Sequence, residues 1–141
     1  MIINFHPKEL PSKKGLAIIA ELNKANNHKI YHSTDKSADE WKAIILGDEQ
    51  IILIAPVFWW AAGYEFDKWI QNVLTYGFAY RYSEAGTPEG MLKGRAFEFH
   101  LTHGTPEAQA GALRDNMRAR IEKGIFGFCD AKVSVTFYDL Q

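Results

Sequence analysis

Cysteine is nearly absent: Cys129 is the only one in 141 residues. That excludes an intramolecular disulfide and any cysteine-rich metal cluster, and it fits a reducing compartment. Charge of one sign is absent as well. Sixteen Lys and Arg stand against 17 Asp and Glu, a formal net charge of −1, and so balanced a chain excludes a polybasic binder of nucleic acid or of anionic membrane surfaces. Long hydrophobic runs are missing. The most apolar windows, Gln50 to Trp60 and Trp69 to Tyr82, are broken by Pro56 or polar residues, well short of the ~20 apolar residues a membrane span needs. Met1 to Phe5 is followed by no basic stretch, hydrophobic region or small-residue cleavage site, so no export signal is expected. There is no internal repeat, low-complexity tract or linker. The expectation is a soluble, cytoplasmic chain folded as one domain over residues 1–141.

What is present is material for a core: 47% hydrophobic and 13% aromatic residues fill one domain of ordinary size. Met1 to Phe5 predicts a strand stopped at His6-Pro7. Leu16, Ile19 and Leu22 recur at helical spacing up to the Asn23 to His28 cluster. Lys29 to His32 predicts a brief second strand. Ser37-Ala38-Asp39-Glu40 reads as a capping box for a short helix carrying Trp41, Ile44 and Ile45. Ile51 to Ala55 is apolar without alternation, the pattern of a central parallel strand covered on both faces. Phe66, Trp69, Ile70, Val73 and Leu74 form one stripe of a helix over Tyr64 to Thr75. The segment Ala79 to Lys93 reads as a loop over one end of the sheet. Arg95 to Thr102 alternates Phe97, Phe99 and Leu101 against Glu98 and His100. Thr105-Pro106-Glu107 offers a cap, a first-turn proline and an acid to a helix that Leu113, Met117 and Ile121 carry to Gly124. Ala131 to Tyr138 is the final strand. Strands and helices alternating in this order predict an α/β fold: three layers around an open parallel five-stranded sheet, order 2-1-3-4-5, with its ligand crevice at the carboxyl ends of the strands.

Three loops would meet in that crevice. Pro56-Val57-Phe58-Trp59-Trp60-Ala61-Ala62-Gly63 places three bulky aromatics where turns usually carry small polar residues. A flat group such as an isoalloxazine would suit them, with main-chain amides at its polar edge; alternatively Phe58, Trp59 and Trp60 cap the core. Thr102-His103-Gly104-Thr105 is a small-residue turn before a helix start, suited to an anionic or electron-rich group. In it His103 either donates to such a group or merely caps the turn in solvent. His6 with Ser12, near Lys8, Lys13 and Lys14, could line a phosphate site at the first helix, although Pro7 and Pro11 remove two main-chain donors. No zinc pair is expected of His28 and His32, and Cys129 reads as a buried structural thiol. Walker, Gly-x-Ser-x-Gly and Gly-x-Gly-x-x-Gly motifs are absent.

APVFWW (Ala55 to Trp60), DKWIQNVLTYGFAY (Asp67 to Tyr80), Met91 to Gly94, LTHGTPE (Leu101 to Glu107) and KGIFGFCDAKV (Lys123 to Val133) together resemble the flavodoxin-like NAD(P)H quinone reductases, a family that includes potassium-efflux accessory oxidoreductases and drug-activity modulators. The resemblance implies FMN or FAD, reduced by NADH or NADPH and reoxidised by a quinone-like two-electron acceptor. By position it assigns Pro56, Val57, Phe58, Trp59 and Trp60 to the isoalloxazine, Thr102, His103, Gly104 and Thr105 to its other edge, and His6 with Ser12 to the phosphate; His103 is the catalytic candidate. It also allows a membrane transporter as partner. The chain departs from the family's pattern in Leu10-Pro11-Ser12-Lys13 of the first loop, in Ala110 at a tyrosine position, and in the lack of a carboxy-terminal helix after Tyr138. A homodimer hiding the uncovered sheet face is therefore expected, and a non-catalytic flavodoxin-like accessory subunit is the rival to the enzyme.

Overall fold

Five short segments become parallel strands in the computed structural model, which describes residues 1–47 and 49–140. They are β1 (Ile2–Asn4), β2 (Ile30–His32), β3 (Ile51–Pro56) and, beyond a hairpin that takes the labels β4 and β5, β6 (Ala96–His103) and β7 (Lys132–Asp139). Asp48 and Gln141, which the single-domain expectation also spans, lie outside the described residues. The sheet order is β2-β1-β3-β6-β7, the expected 2-1-3-4-5 connectivity. Ile2 pairs with Ile30 and Ile52, and β3 and β6 run in register from Ile51 with Phe97 to Pro56 with Thr102.

The helices explain the two strand patterns. On one face α1 (Lys13–Ala25) buries Ile18 and Ile19 against Ile2, Ile52 and Ile54. On the other, α2 (Ala38–Leu46), α3 (Gly63–Val73) and α4 (Glu107–Arg118) bury Trp41, Phe66, Trp69, Leu113 and Met117 against Phe5, Leu53, Phe97, Phe99 and Leu101. Strand β3 is covered from both sides and is apolar throughout. Strand β6 packs its apolar face under the α2, α3 and α4 side and carries polar residues on the other, so it alternates. Its outer side shows Glu98 and His100, and β7 adds the exposed Ser134 and Thr136 and the half-buried Tyr138. His100 donates from Nε2 to Glu98 Oε1 at 2.7 Å and accepts the Tyr138 hydroxyl at Nδ1 at 2.8 Å. This face of β6 and β7 is polar, with His100 buried in it and Tyr138 packed against the α1 cluster.

The capping box forms as expected: Glu40 N–H donates to Ser37 Oγ at 3.2 Å, and Ser37 N–H to Glu40 Oε1 at 3.1 Å. At the other end of α2, Arg95 donates to the carbonyls of Gly47 and Leu46 at 2.6 and 2.8 Å, supplying donors that a helix terminus lacks.

Three local expectations are corrected. The segment read as a loop holds an antiparallel hairpin, β4 (Tyr80–Tyr82) with β5 (Pro88–Gly90). Leu92 N–H bonds to Cys129 O at 2.9 Å, and Gly90 lies so close to the Cys129–Asp130 peptide that a Cβ would overlap it. The hairpin therefore sits at the amino ends of β6 and β7, away from the crevice. The last long helix ends at Arg118 and continues as a π-helical stretch over Ala119–Phe126, because Ile121 and Phe126, five apart, both reach the core. Thr105 makes no cap; Pro106, extended at ψ 147°, occupies that position. Cys129 is buried, which pushes its thiol up to about 11 and leaves it unreactive at neutral pH. Among the described residues no helix is long and apolar enough to cross a membrane.

Candidate functional site

Because β1, β3 and β6 are neighbours, their carboxyl ends meet, and the residues assigned to the crevice from the sequence lie on the last residues of β3 and β6 or on the loops that leave β1, β3 and β6. Asn4, the last residue of β1, organises the first. Its Oδ1 accepts both the main-chain N–H of His6 at 3.0 Å and the ring Nδ1–H at 2.9 Å. His6 is buried, and desolvation, with a smaller repulsion from His32, pushes its imidazole down to about 4. At neutral pH the ring is therefore uncharged, with its proton on Nδ1 and the Nε2 lone pair 3.5 Å from the Thr102 hydroxyl. The ring rests on Gly15, where a Cβ would stand 2.8 Å from Cε1. His32 donates from Nε2 to the His6 carbonyl at 2.8 Å. Ser12 caps α1 by accepting the Gly15 N–H at 3.0 Å. The helix amino terminus, Lys13 and Lys14 in its first turn and Lys8 nearby give this loop a positive field. A small cleft of about 100 Å³ lies between Lys8, Ser12 and His32.

The second loop is a tight turn. Phe58 N–H donates to Ala61 O at 2.9 Å and Ala61 N–H to Phe58 O at 3.0 Å. Its two central residues are Trp59 (φ 52°) and Trp60 (φ 57°), both left-handed. That conformation costs a non-glycine residue about 1–2 kcal/mol, and tight turns normally give it to Gly, Asn or Asp. The Trp59 ring gains nothing from the core in return, being 100% exposed, while Phe58 and Trp60 are 44% and 38% exposed. Core capping thus fails as an explanation of Trp59. Pro56 is buried and Val57 half-buried, with Val57 N–H bonded to Thr102 O at 2.7 Å, which pins the second loop to the third. Neither Trp59 N–H nor Trp60 N–H takes part in the bonds that close the turn.

In the third loop Thr102 is buried and His103 is only 3% exposed. His103 Nδ1 accepts the Thr105 N–H at 3.3 Å, which puts the ring proton on Nε2, and the ring stands edge-on to Phe137. It caps the turn, as its plainer reading held, but from inside the fold rather than in solvent. Gly104 is exposed and Thr105 half-buried.

Asn4, Gly15 and His32 complete the site; Asn4 and Gly15 were not singled out from the sequence, and His32 was weighed there only as a zinc ligand. His32 had a signal, because in this strand order the end of β2 lies beside the end of β1.

A family model described as a flavodoxin-like fold matches residues 1–140. No curated relative matches the chain. Among solved structures, an NADPH-quinone reductase from P. pentosaceus superposes with a TM-score of 0.74 at 20% identity, over 98% of this chain and 83% of that one. An NAD(P)H:quinone oxidoreductase from Methanothermobacter marburgensis gives 0.73 at 14% identity, over 99% and 85%. An FMN-dependent NADH-azoreductase from Bacillus anthracis, in complex with FMN, gives 0.67 at 18% identity, over 98% and 85%.

Proposed function

The chain belongs to the flavodoxin-like fold family, as its resemblance to the flavodoxin-like NAD(P)H quinone reductases implied, and on that premise we propose that it is a flavin-dependent NAD(P)H oxidoreductase reducing quinones or similar two-electron acceptors. The observation that carries the reading is the pair of left-handed, outward-turned tryptophans at the carboxyl end of β3. Strain of this kind persists where a site uses it. A bound flavin would supply two-electron redox chemistry between donor and acceptor.

The residues present fit such a group. Trp59, Trp60 and Phe58 offer aromatic faces to a planar ring, with Pro56 and Val57 fixing the turn beneath them. The α1 amino terminus with Ser12, Lys13 and Lys14 suits its phosphate. His6 is neutral and its one N–H is committed to Asn4, so its part is to prop the first loop against Gly15 and Thr102. Thr102 to Thr105 form the opposite wall. There His103, held at Nδ1 by the Thr105 amide, is the candidate catalytic residue, with Nε2–H as the donor toward an electron-rich edge. FMN is favoured over FAD by the FMN-bound neighbour. Cytoplasmic location and homodimerisation belong to the same reading, and light scattering reads the latter directly.

Reconstitution decides it. The protein should take up FMN or FAD, turn yellow and oxidise NADH or NADPH only when a quinone is supplied. Loss of NAD(P)H oxidation with flavin still bound would favour the non-catalytic accessory subunit, which the buried Ala110 supports. Failure to bind either flavin would end the oxidoreductase reading and leave the accessory subunit with a degenerate flavin site.

A further inference from the structure

The two edges of the sheet are unlike. The β2 edge is three residues long, whereas β7, at the other end of the order, runs for eight, roughly 26 Å of extended chain. Lys132 N–H donates to Arg95 O at 2.9 Å and Leu140 N–H to His103 O at 2.8 Å, so the even-numbered residues of β7 turn their main-chain groups to β6. Val133, Val135 and Phe137 turn theirs the other way. Among the described residues no strand lies along that side, and these three make no main-chain bond there.

A row of open N–H and C=O groups is a template for another chain, and long edges are normally blunted by proline, a bulge or a charge set within the strand. Strand β7 has none of these. Its pairing with β6 is unbroken from Lys132 to Asp139, it holds no proline or glycine, and its only charges, Lys132 and Asp139, stand at its two ends. Between them Val133, Val135 and Thr136 are β-branched and Phe137 and Tyr138 aromatic, the residue types that strands favour.

The strand complements itself. Main-chain groups of two antiparallel edges meet only where outward residues oppose outward residues. A second copy related by a twofold axis at Val135 satisfies this: Val135 faces Val135 of the second copy, Val133 faces its Phe137, and Ser134 faces its Thr136. Apolar side chains then adjoin apolar ones on the α4 side, where Val133, Val135 and Phe137 already join the core. Hydroxyls adjoin hydroxyls on the other side, where Ser134 and Thr136 are exposed. An axis at Thr136 would instead set Val133 against Asp139.

We propose that β7 pairs antiparallel with β7 of a second copy of this chain about a twofold axis at Val135, joining the two sheets into one through about six main-chain hydrogen bonds. The inference rests on the homodimer of the proposed function, to which it gives a surface, and is independent of the flavin.

Light scattering of flavin-free protein should give a dimer. Ser134 and Thr136 are exposed and lie outside the crevice, so their variants should keep the fold by circular dichroism and the flavin uptake of the wild type. Ser134→Lys/Thr136→Lys sets like charges directly opposite one another and should weaken association about tenfold or more, whereas Ser134→Lys/Thr136→Glu sets opposite charges there and should keep the dimer. Ser134→Cys protein mixed with Thr136→Cys protein should oxidise to a disulfide-linked pair, because opposed residues that exchange no main-chain bond stand about 4.5 Å apart at Cα; neither should link to itself. Cys129 is buried and takes no part. A monomer in light scattering would overturn the proposal and the homodimer together. A dimer that survives the double-lysine variant and yields no mixed disulfide would keep the homodimer on another surface and overturn the proposal alone. Thr136→Cys linking to itself would also overturn it, by moving the axis to Thr136.

Discussion

Replacing Trp59 by glycine should stabilise the protein and impair its site at once. Trp59 is 100% exposed and sits at φ 52°, so its removal forfeits no burial and relieves a left-handed conformation worth about 1–2 kcal/mol. Glycine gives back about 0.5–1 kcal/mol through the greater freedom of the unfolded chain. The net gain is about 0.5–1 kcal/mol, which for a chain of this size raises Tm by roughly 2–4 °C. Trp59→Ala keeps the strain and loses the ring, and it should melt close to the wild type. Both variants should bind FMN about fivefold more weakly, since a stacked aromatic face contributes on the order of 1 kcal/mol. Calorimetry on flavin-free protein and a flavin-fluorescence titration read the two effects separately. A drop of several degrees in Trp59→Gly would mean that the indole packs on the fold. Unchanged flavin affinity would mean that the strained turn serves something else.

Three further predictions follow from the packing around the loops. His6 titrates at about 4 in the folded chain against 6.5 when free, so between those pH values the unfolded chain binds a proton that the folded one refuses. Stability present above pH 6.5 should therefore fall by about 3 kcal/mol as pH drops to 4, and urea midpoints of His6→Asn should show that much less acid dependence; identical profiles would remove the argument. Gly15→Ala brings a Cβ to 2.8 Å from the His6 ring and should cost about 1–2 kcal/mol together with flavin affinity, with no loss of either speaking against the propped loop. Gly90→Ala forces the hairpin off the Cys129–Asp130 peptide and should cost about 2–3 kcal/mol while sparing flavin binding, because β5 lies at the far end of the sheet; weakened flavin binding would contradict that placement.

Much of this arrangement was legible in the residues, and for physical reasons. The unbroken IILIA of β3 and the alternating FEFHL of β6 reported two apolar faces and one, and the helices pack on them. Ser37 and Glu40 announced the start of α2 because both halves of a capping box are local. The hairpin stayed hidden: Tyr80–Tyr82 and Pro88–Gly90 are short and none of their residues is buried, so their pairing leaves little hydrophobic pattern. Leu113, Met117 and Ile121 at four-residue spacing fit an α-helix as well as one that widens at its end, and nothing in them marks the π-helical stretch. The left-handed turn was illegible because Trp-Trp is not a sequence that seeks positive φ; tertiary context imposes it. The neutral state of His6 depends on Asn4, Gly15, His32 and Thr102, which belong to three different strands and a helix, and no local window contains them.

The central claim is that the outward Trp59-Trp60 turn exists to receive a planar redox cofactor. Titrating flavin-free protein with FMN while following tryptophan emission tests it most directly, because a ring stacked on those indoles quenches them. The account predicts saturable quenching at one flavin per chain that is largely lost in the Trp59→Gly/Trp60→Gly variant. An emission that FMN leaves unchanged, or quenching that survives intact in the variant, would contradict it.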